Sequence, residues 1–514
     1  MLLYDYLFIS AERFPNKIAI ATETERVGYG DLLAMARAIA EAMKDAGLVA
    51  GDRVILYLDN SSEYVAAYFG VLLAGGVVVG QSTGNREKQL KHFIHHCRAA
   101  GVVCSGRHIH PVGNLLPECP SLKFLVYNGE RAHMPETGPV VALTFQEGVG
   151  RAKGCGSQPV PRKPDDPAQI IYTSGTTAQP KGVMLSHKNL CANTESIIQY
   201  LELNHRDSVM AVLPFYYSYG NSLLLTHIAC AGTLALDNRF AYPEKVLERI
   251  RAESITGFAG VPSTFAILVH KAGLKSHDLS CLRYITQAGG PMAPALAQEL
   301  REALPKTKIF IMYGQTEASA RLSYLEPQML TVKSGSIGKA IPGVTLRLKD
   351  REGRDAAPGE VGEIVAQGDN IMLGYWENPE ETAKALREDG LHTGDLATLD
   401  SDGYFFIVSR KSDMIKSGAH RISPKEIEEV IMEDQRVHEV AVLGEPDPIL
   451  GETIVAVVVP KPGAEIDARD ISMLCKRELP PYKVPKKIEF SESLPKTASG
   501  KIRRNDLRKA KERI

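Results

Sequence analysis

The chain has 514 residues, 60 basic against 61 acidic side chains and a net charge of −1, with 44% hydrophobic and 24% charged residues. That length exceeds a single hydrophobic core and predicts two to four domains of ordinary globular composition. The balanced charge leaves no global field to favour nucleic acid or an anionic membrane, and 7% aromatics with Trp376 as the single tryptophan argue against a base-stacking platform.

Eight scattered cysteines form no C-x-x-C pair, so reduced thiols in a cytoplasmic protein are expected. The N-terminus places Asp5 early and has no basic start, unlike a secretory signal. Two uncharged runs bear on membranes. Residues 64–80 are broken by Gly75-Gly76 and fall short of the ~20 residues a span requires. Residues 208–236 lack Asp, Glu, Lys and Arg, but Pro214, Gly220 and Gly232 divide them into several buried elements. No transmembrane segment is predicted; a greasy interior able to line a site for an apolar ligand is.

In chain order, helices are expected near 4–13, 31–46, 61–74 and 86–99, and strands at 17–22, 53–58, 77–80 and 102–104. Such alternation predicts a parallel α/β sheet. On the fourth helix His92 and His96 share one face; without a third ligand nearby they read as a solvated face rather than a metal pair. Residues 107–167 are rich in Gly and Pro and predict irregular structure with a few strands.

The stretch 170–190 reads IIYTSGTTAQPKGVMLSHKNL. Its apolar start suits a buried strand. Thr173, Ser174, Gly175, Thr176 and Thr177 then lead to Pro180, Lys181 and Gly182. Inward backbone N–H groups, four hydroxyls and one lysine could hold a polyphosphate, or the segment is simply a polar hairpin turn. It is not the G-x-x-x-x-G-K-[ST] loop, because no Ser or Thr follows the lysine. A second short strand at 183–185 and an N-cap at Ser186 should follow.

Alternation resumes with helices at 187–200, 221–231, 243–253, 262–272 and 294–303, and strands at 208–212, 233–236, 255–259, 284–287 and 308–313. This predicts a second sheet laid out like the first. From 334 to 399 helices fade and strands at 345–348, 362–366 and 396–400 suggest a β-rich subdomain. Beyond Arg410 two helices, 424–432 and 468–479, and three strands, 437–444, 453–460 and 486–490, predict a separate α+β domain. The boundaries expected are 1–409, a hinge at 410–413, and 414–514.

Four motifs occur in order: YTSGTTAQPKG, YGQTEA from Tyr313, HTGDLATLDSDGYFFIVSRKSDMIKSG from His392, and LPKTASGK ending at Lys501. Together they resemble the adenylate-forming (AMP-binding) superfamily of acyl-CoA synthetases, nonribosomal adenylation domains and luciferases, and the resemblance covers nearly the whole chain. It implies a large N-terminal domain of two α/β sheet subdomains plus a β-rich subdomain, and a small mobile α+β C-terminal domain. It also implies two half-reactions. A carboxylate attacks the α-phosphate of ATP, giving acyl-adenylate and pyrophosphate; a thiol of CoA, or of a carrier protein's phosphopantetheine, then takes the acyl group and releases AMP.

By this resemblance Thr173, Ser174, Gly175, Thr176, Thr177 and Lys181 hold the β- and γ-phosphates. Gly289, Gly290, Pro291, Tyr313 and Gly314 frame the adenine. Thr316 contacts the α-phosphate, Glu317 holds Mg2+, Asp395 accepts the ribose hydroxyls, and Arg410 reaches ribose or phosphate. Lys501 swings in to bridge carboxylate and α-phosphate, a task suited to a compact flexible cation. Pantetheine passes near Lys416 and Gly418. The acyl pocket is lined by Tyr217, Tyr219, Gly220, Val261, Gln287, Ala288, Gln315 and Ser319, which suits an apolar fatty or aryl acid.

Three positions depart from the usual pattern. Ser412 stands where Asp or Lys is common at the hinge. Gly418-Ala419 replaces a glycine pair. Tyr217 stands where many CoA ligases carry histidine, and no aspartate nearby could hold an α-amino group, which disfavours an amino-acid substrate. A rival reading from another class is a nucleotide-binding protein without turnover; Lys181, Glu317, Asp395 and Lys501 together argue against it.

Overall fold

Two mainly parallel sheets build the first of two units into which the chain divides in this computed structural model, which describes residues 1–130, 137–151, 158–173, 180–238, 240, 242–411, 413–417, 420–447, 450–496, 502–504 and 506–507. The first unit comprises Met1–Ser334, Ala340–Thr345 and Ala366–Leu391; the second comprises Gly335–Lys339, Leu346–Val365 and His392–Ile514.

One sheet runs Lys181–Ser186, Pro167–Thr173, Val77–Gly80, Arg53–Tyr57, Ala99–Ser105, Phe124–Asn128, Val141–Thr144. Its strands are parallel from Pro167–Thr173 to the far edge, with Val54 opposite Val78 and Ile55 opposite Val102. Lys181–Ser186 turns back antiparallel, and Gly374–Tyr375 adds antiparallel to it. The strands are apolar on both faces because helices cover both, as parallel sheets require. Phe93 and Ile94 of helix Glu87–Cys97 pack on Ile55, Val79, Val102 and Ile170.

The other sheet runs Ser323–Leu325, Lys308–Tyr313, Tyr284–Gln287, Gly257–Gly260, Ser208–Ala211, Thr233–Leu236, Ile18–Ala21, Arg26–Gly28. Its six inner strands are parallel. The sequence order suggests that Ile18–Ala21 joins the first sheet; instead it pairs with Thr233–Leu236, Ile20 opposite Leu234. Strand periodicity carries no information about which sheet a strand enters, and this one crosses more than two hundred residues of chain to find its partner.

Two further expectations are corrected here. Within 107–167 the chain forms helices Ile109–Leu115 and Phe145–Arg151 besides the strands that extend the first sheet. Each helix is seven residues long, too short for a clear 3.6-residue period. In 334–399 a helix does form at Pro379–Ala385, started by Pro379 and capped by the Asn378 side chain, which accepts the Glu381 N–H.

Strands Val344–Lys349, Gly362–Gly368, Gly390–Leu399 and Phe405–Arg410, most of whose residues belong to the second unit, lie side by side in that order. A further sheet runs His420–Ile422, Ile415–Ser417, Gly451–Pro460, Val437–Asp447, with Lys487–Phe490 parallel to Gly451–Pro460. This sheet has five strands where the sequence suggests three. The two extra strands are three residues each, below the length at which alternation is visible. Helices Pro424–Met432 and Ala468–Glu478 cover one face through Ile427, Ile431, Ile471 and Cys475. No helix among the described residues is long and apolar enough to cross a membrane, and the seven described cysteines are unpaired.

Candidate active site

Four adjacent parallel strands, Ser208–Ala211, Gly257–Gly260, Tyr284–Gln287 and Lys308–Tyr313, end on the same edge of the second sheet. The predicted site residues of the first unit follow those ends: Tyr217, Tyr219 and Gly220 after the first strand, Val261 after the next, Gln287 to Pro291 at the third, and Tyr313 to Ser319 at the fourth. Residues separated by a hundred positions therefore converge where α/β sheets bind ligands, outside the carboxyl ends of the strands. Thr316 Oγ1 donates to Ser218 Oγ at 3.2 Å, which ties the fourth loop to the first.

Several positions leave no room for change. A Cβ on Gly314 would lie 2.1 Å from the Ala320 carbonyl oxygen, and one on Gly220 2.0 Å from that of Pro214. Gly289 has φ +87°, where glycine is favoured. Gln287 is fully buried and donates through Nε2 to the Gly290 carbonyl at 2.7 Å, fixing the Gly289-Gly290-Pro291 turn. Tyr219 is buried and its hydroxyl donates to the Thr286 carbonyl at 2.8 Å; burial pushes its phenol up to about 12. Ser319 is buried at φ +59° and donates to the Asn370 carbonyl at 2.8 Å, so its hydroxyl serves the loop itself. Ala288 is buried as well, while Tyr217, Val261, Tyr313 and Gln315 keep partial exposure.

The hairpin of the first sheet brings the cations. Thr173 and Lys181 face each other as register partners at its open end, and residues 174–179 between them lie outside the described residues, so Ser174, Gly175, Thr176 and Thr177 are not placed. Ser186 closes the other end as predicted, accepting the Asn189 N–H at 3.1 Å and starting helix His187–Leu201, a cap worth about 1 kcal/mol. Lys181 Nζ pairs with Glu381 and lies 5.0 Å from the centre of the Tyr375 ring. Glu381 is shared with Lys384 at 2.6 Å, and hydrogen bonds from Lys181 and then Lys384 hold its carboxyl down at about 2. The Tyr375 hydroxyl donates to Glu317 Oε1 at 2.9 Å, and the Met372 N–H donates to the Glu317 carbonyl at 2.9 Å. Burial, then the Glu317 charge, keeps this phenol well above its ordinary pKa, so it stays a donor.

Tyr375 and Glu381 are absent from the motif reading. The signal that could expose them is local: Gly374-Tyr375-Trp376 followed by the Asn378-Pro379 helix start, which puts Glu381 on the first turn. The neighbouring Trp376 donates through Nε1 to the His96 carbonyl at 3.0 Å and through its backbone N–H to Gly182 at 2.7 Å. His96 Nδ1 lies 2.7 Å from the Tyr172 hydroxyl. The His92/His96 face thus packs against the hairpin rather than standing wholly in solvent.

In the second unit Asp395 is buried, sits opposite Arg410 in register and accepts from its Nε at 3.0 Å. Its backbone N–H donates to Thr393 Oγ1 at 3.1 Å, and the Gly394 N–H donates to Glu363 Oε1 at 3.1 Å. Burial pushes the Glu363 carboxyl up, but His392 at 3.0 Å and Lys411 at 3.3 Å outweigh it and hold it below its usual range. Lys416 lies in strand Ile415–Ser417; Ser412, Gly418, Ala419 and Lys501 lie outside the described residues. Flanking Lys501, Lys496 and Ile502 pair antiparallel, and Arg504 donates to both Glu428 oxygens at 2.6 and 2.8 Å. Arg504 also stands 3.5 Å from Asp413, beside the expected hinge.

Comparison with known proteins identifies the family. Residues 7–376 match the family described as AMP-binding enzyme, and residues 426–501 match the AMP-binding enzyme C-terminal domain. A long-chain-fatty-acid–CoA ligase of Bacillus subtilis is 33% identical over 528 residues, covering 98% of this chain and 94% of that protein. The crystal structure of ATP-bound MatB from Rhodopseudomonas palustris superposes with TM-score 0.89 at 29% identity, covering 99% of each chain. An anthranilate CoA ligase solved with anthranoyl-AMP gives TM-score 0.86 at 26% identity, covering 99% of this chain and 97% of that one. The chain belongs to the AMP-binding enzyme family, and the relatives it resembles at 33% and 26% identity are acid–CoA ligases.

Proposed function

We propose that the protein joins a carboxylic acid with an apolar fatty or aryl body to CoA, in two steps driven by ATP. In the first, a carboxylate oxygen bonds to the α-phosphorus and the bond to the β-phosphate oxygen breaks, giving acyl-adenylate and pyrophosphate. In the second, the thiol sulfur bonds to the acyl carbon, its proton leaves to solvent, and AMP departs. Neither step needs a protein nucleophile; both need charge stabilisation and alignment.

The observation that carries this reading is the side-chain chain Lys181–Tyr375–Glu317, which links the hairpin of one sheet to the TEA loop of the other. Lys181, Thr173 and residues 174–177 hold the β- and γ-phosphates, and Thr316 the α-phosphate. Glu317 fits Mg2+: one carboxylate oxygen is held by Tyr375, leaving the other for a cation that takes one or two carboxylates together with substrate phosphates. When bound, Mg2+ supplies positive charge to the phosphate oxygens. Gly289, Gly290, Pro291 and Tyr313 bound the adenine. Asp395, oriented by Arg410, accepts the ribose hydroxyls, and Lys501 bridges the reacting oxygens. Residues 1–409 are the adenylation domain, 410–413 the hinge and 414–514 the mobile domain, and the enzyme works in the cytoplasm. An intact set of cationic and acidic groups favours turnover over passive nucleotide binding.

Acid-dependent pyrophosphate exchange tests the first step. It should collapse at least 100-fold in Lys501→Ala, and undiminished exchange in that variant sinks the assignment. AMP release with free CoA, set against release with a phosphopantetheinylated carrier protein, decides the thiol.

A further inference from the structure

Arg321 stands four residues beyond Glu317 and is only 3% exposed. Its guanidinium carbon lies 4.0 Å from the centre of the Tyr219 ring. Its hydrogen-bond partners are all neutral: the Met312 sulfur from Nε at 3.4 Å, the Ala320 carbonyl from Nη1 at 3.3 Å, Ser222 Oγ from Nη2 at 3.4 Å, and the Tyr200 hydroxyl. Among the described residues no carboxylate stands within ion-pair distance of it. Guanidinium groups keep their charge, and buried charges are ordinarily paired because desolvation otherwise destabilises them. The contrast with Arg283 is direct, since that guanidinium is more exposed and still pairs with Asp207 at 2.9 Å.

With Tyr200 included, four of the five N–H donors of Arg321 are used, so one remains. A free guanidinium N–H donates a charge-assisted hydrogen bond to a carboxylate oxygen. The surroundings are short of partners in the same way. Asn193 donates through Nδ2 to the Arg321 carbonyl at 3.0 Å, yet its Oδ1 is buried without a partner. Orphaned buried polar atoms are uncommon and call for a missing group. Tyr219 is fixed by Thr286 and, with its phenol pushed up, presents a neutral ring face that tolerates the cation without cancelling it.

We infer that Arg321 is a specificity residue that receives a second carboxylate, carried on the far part of the acid's apolar body. The preferred substrate is therefore a dicarboxylic acid, activated at one end and anchored at the other. This rests on the ligase reading above.

The test uses the full chain with ATP, Mg2+ and CoA and reads pyrophosphate release. Aliphatic and aryl dicarboxylic acids are compared with their monomethyl esters and with monocarboxylic acids of equal length. The best diacid should exceed its monoester in kcat/KM by roughly 100-fold, the scale of leaving a buried charge unpaired. Arg321→Met, close in length and without charge, should bring that ratio toward one, chiefly through the KM of the diacid; Arg321→Lys should retain part of it. Wild-type enzyme that handles monocarboxylic acids or monoesters as well as diacids overturns the inference, and so does an Arg321→Met variant that leaves the ratio unchanged. Should Arg321→Met not fold, as judged by its melting curve, the wild-type series and Arg321→Lys decide the matter. Pyrophosphate release with monocarboxylic acids alone defeats this inference and leaves the ligase reading standing; release with no acid at all defeats both.

Discussion

Lys181 and Arg321 mark two regions of the first unit that neutralise a cation in opposite ways. Lys181 ends at the hairpin mouth, partly exposed and paired with Glu381, which also holds Lys384. Arg321 lies buried behind Tyr219 with neutral acceptors only. A near-surface pair contributes little to stability and exchanges readily, so Glu381 can yield Lys181 to an arriving phosphate. A buried guanidinium has no such internal substitute. The largest expected effect tests the first half of this contrast. Lys181→Ala should lower acid-dependent pyrophosphate formation about 100-fold or more, whereas Glu381→Gln should keep kcat within about threefold and lower the KM for ATP, because the placeholder is gone. Equal damage from both variants would show that Glu381 acts on the substrate directly and would remove the contrast.

Acid separates the two regions next. The Glu381 carboxyl is depressed to about 2, so its contribution is complete above the ordinary carboxylate range and fades only as pH falls through about 2. The helix Ser218–Ala229 that carries Tyr219 and Ser222 also carries His227, which is buried with Nδ1 3.0 Å from the Leu223 carbonyl and Nε2 3.1 Å from the Tyr284 hydroxyl. The carbonyl can only accept, so Nδ1 carries the proton of a neutral ring and Nε2 accepts from Tyr284. Burial lowers this histidine to about 4. The unfolded chain therefore binds the proton more readily, and stability drops as pH falls from 6.5 to about 4. The loss should reach about 3 kcal/mol, read as a falling urea midpoint between those pH values. His187, also near 4 and accepting the Leu3 N–H at 3.3 Å, should add a similar slope. His227→Gln should flatten the profile by roughly half; an unchanged slope would show that His227 is already protonated in the fold.

Legibility in the sequence divides along the same line. The Lys181 region announces itself, because phosphate-holding loops need glycine, hydroxyls and lysine close together in the chain. Arg321 does not: an arginine after YGQTEASA has no pattern, and only its burial and lack of a carboxylate reveal it. Strands such as Tyr284–Gln287 and Lys308–Tyr313 were readable from apolar runs between helical periods, and so was the α/β class. Ile18–Ala21 was readable as a strand but not as a member of the second sheet, since pairing over long sequence separations leaves no local trace. Tyr375 and Glu381 were hidden because one lies in a two-residue strand and the other in a helix of only seven residues, and their meaning comes from Lys181, about two hundred positions earlier.

The smallest effect tests whether the two regions communicate through the aromatic ring between Lys181 and Glu317. Tyr375→Phe keeps the ring 5.0 Å from Lys181 Nζ and removes only the donor that holds Glu317 Oε1 at 2.9 Å. A hydrogen bond to a charged acceptor contributes about 1.5–3 kcal/mol, so the Mg2+ concentration for half-maximal pyrophosphate release should rise roughly tenfold. The KM for ATP at saturating Mg2+ should hold, because Lys181 keeps its pair with Glu381 and its place over the ring. The diacid-to-monoester ratio set by Arg321 should hold too, since Tyr375 touches none of its partners. A shift in that ratio would join the two regions into one network. A rise in the KM for ATP matching that of Lys181→Ala would instead show that the hydroxyl, through Glu317, positions the lysine.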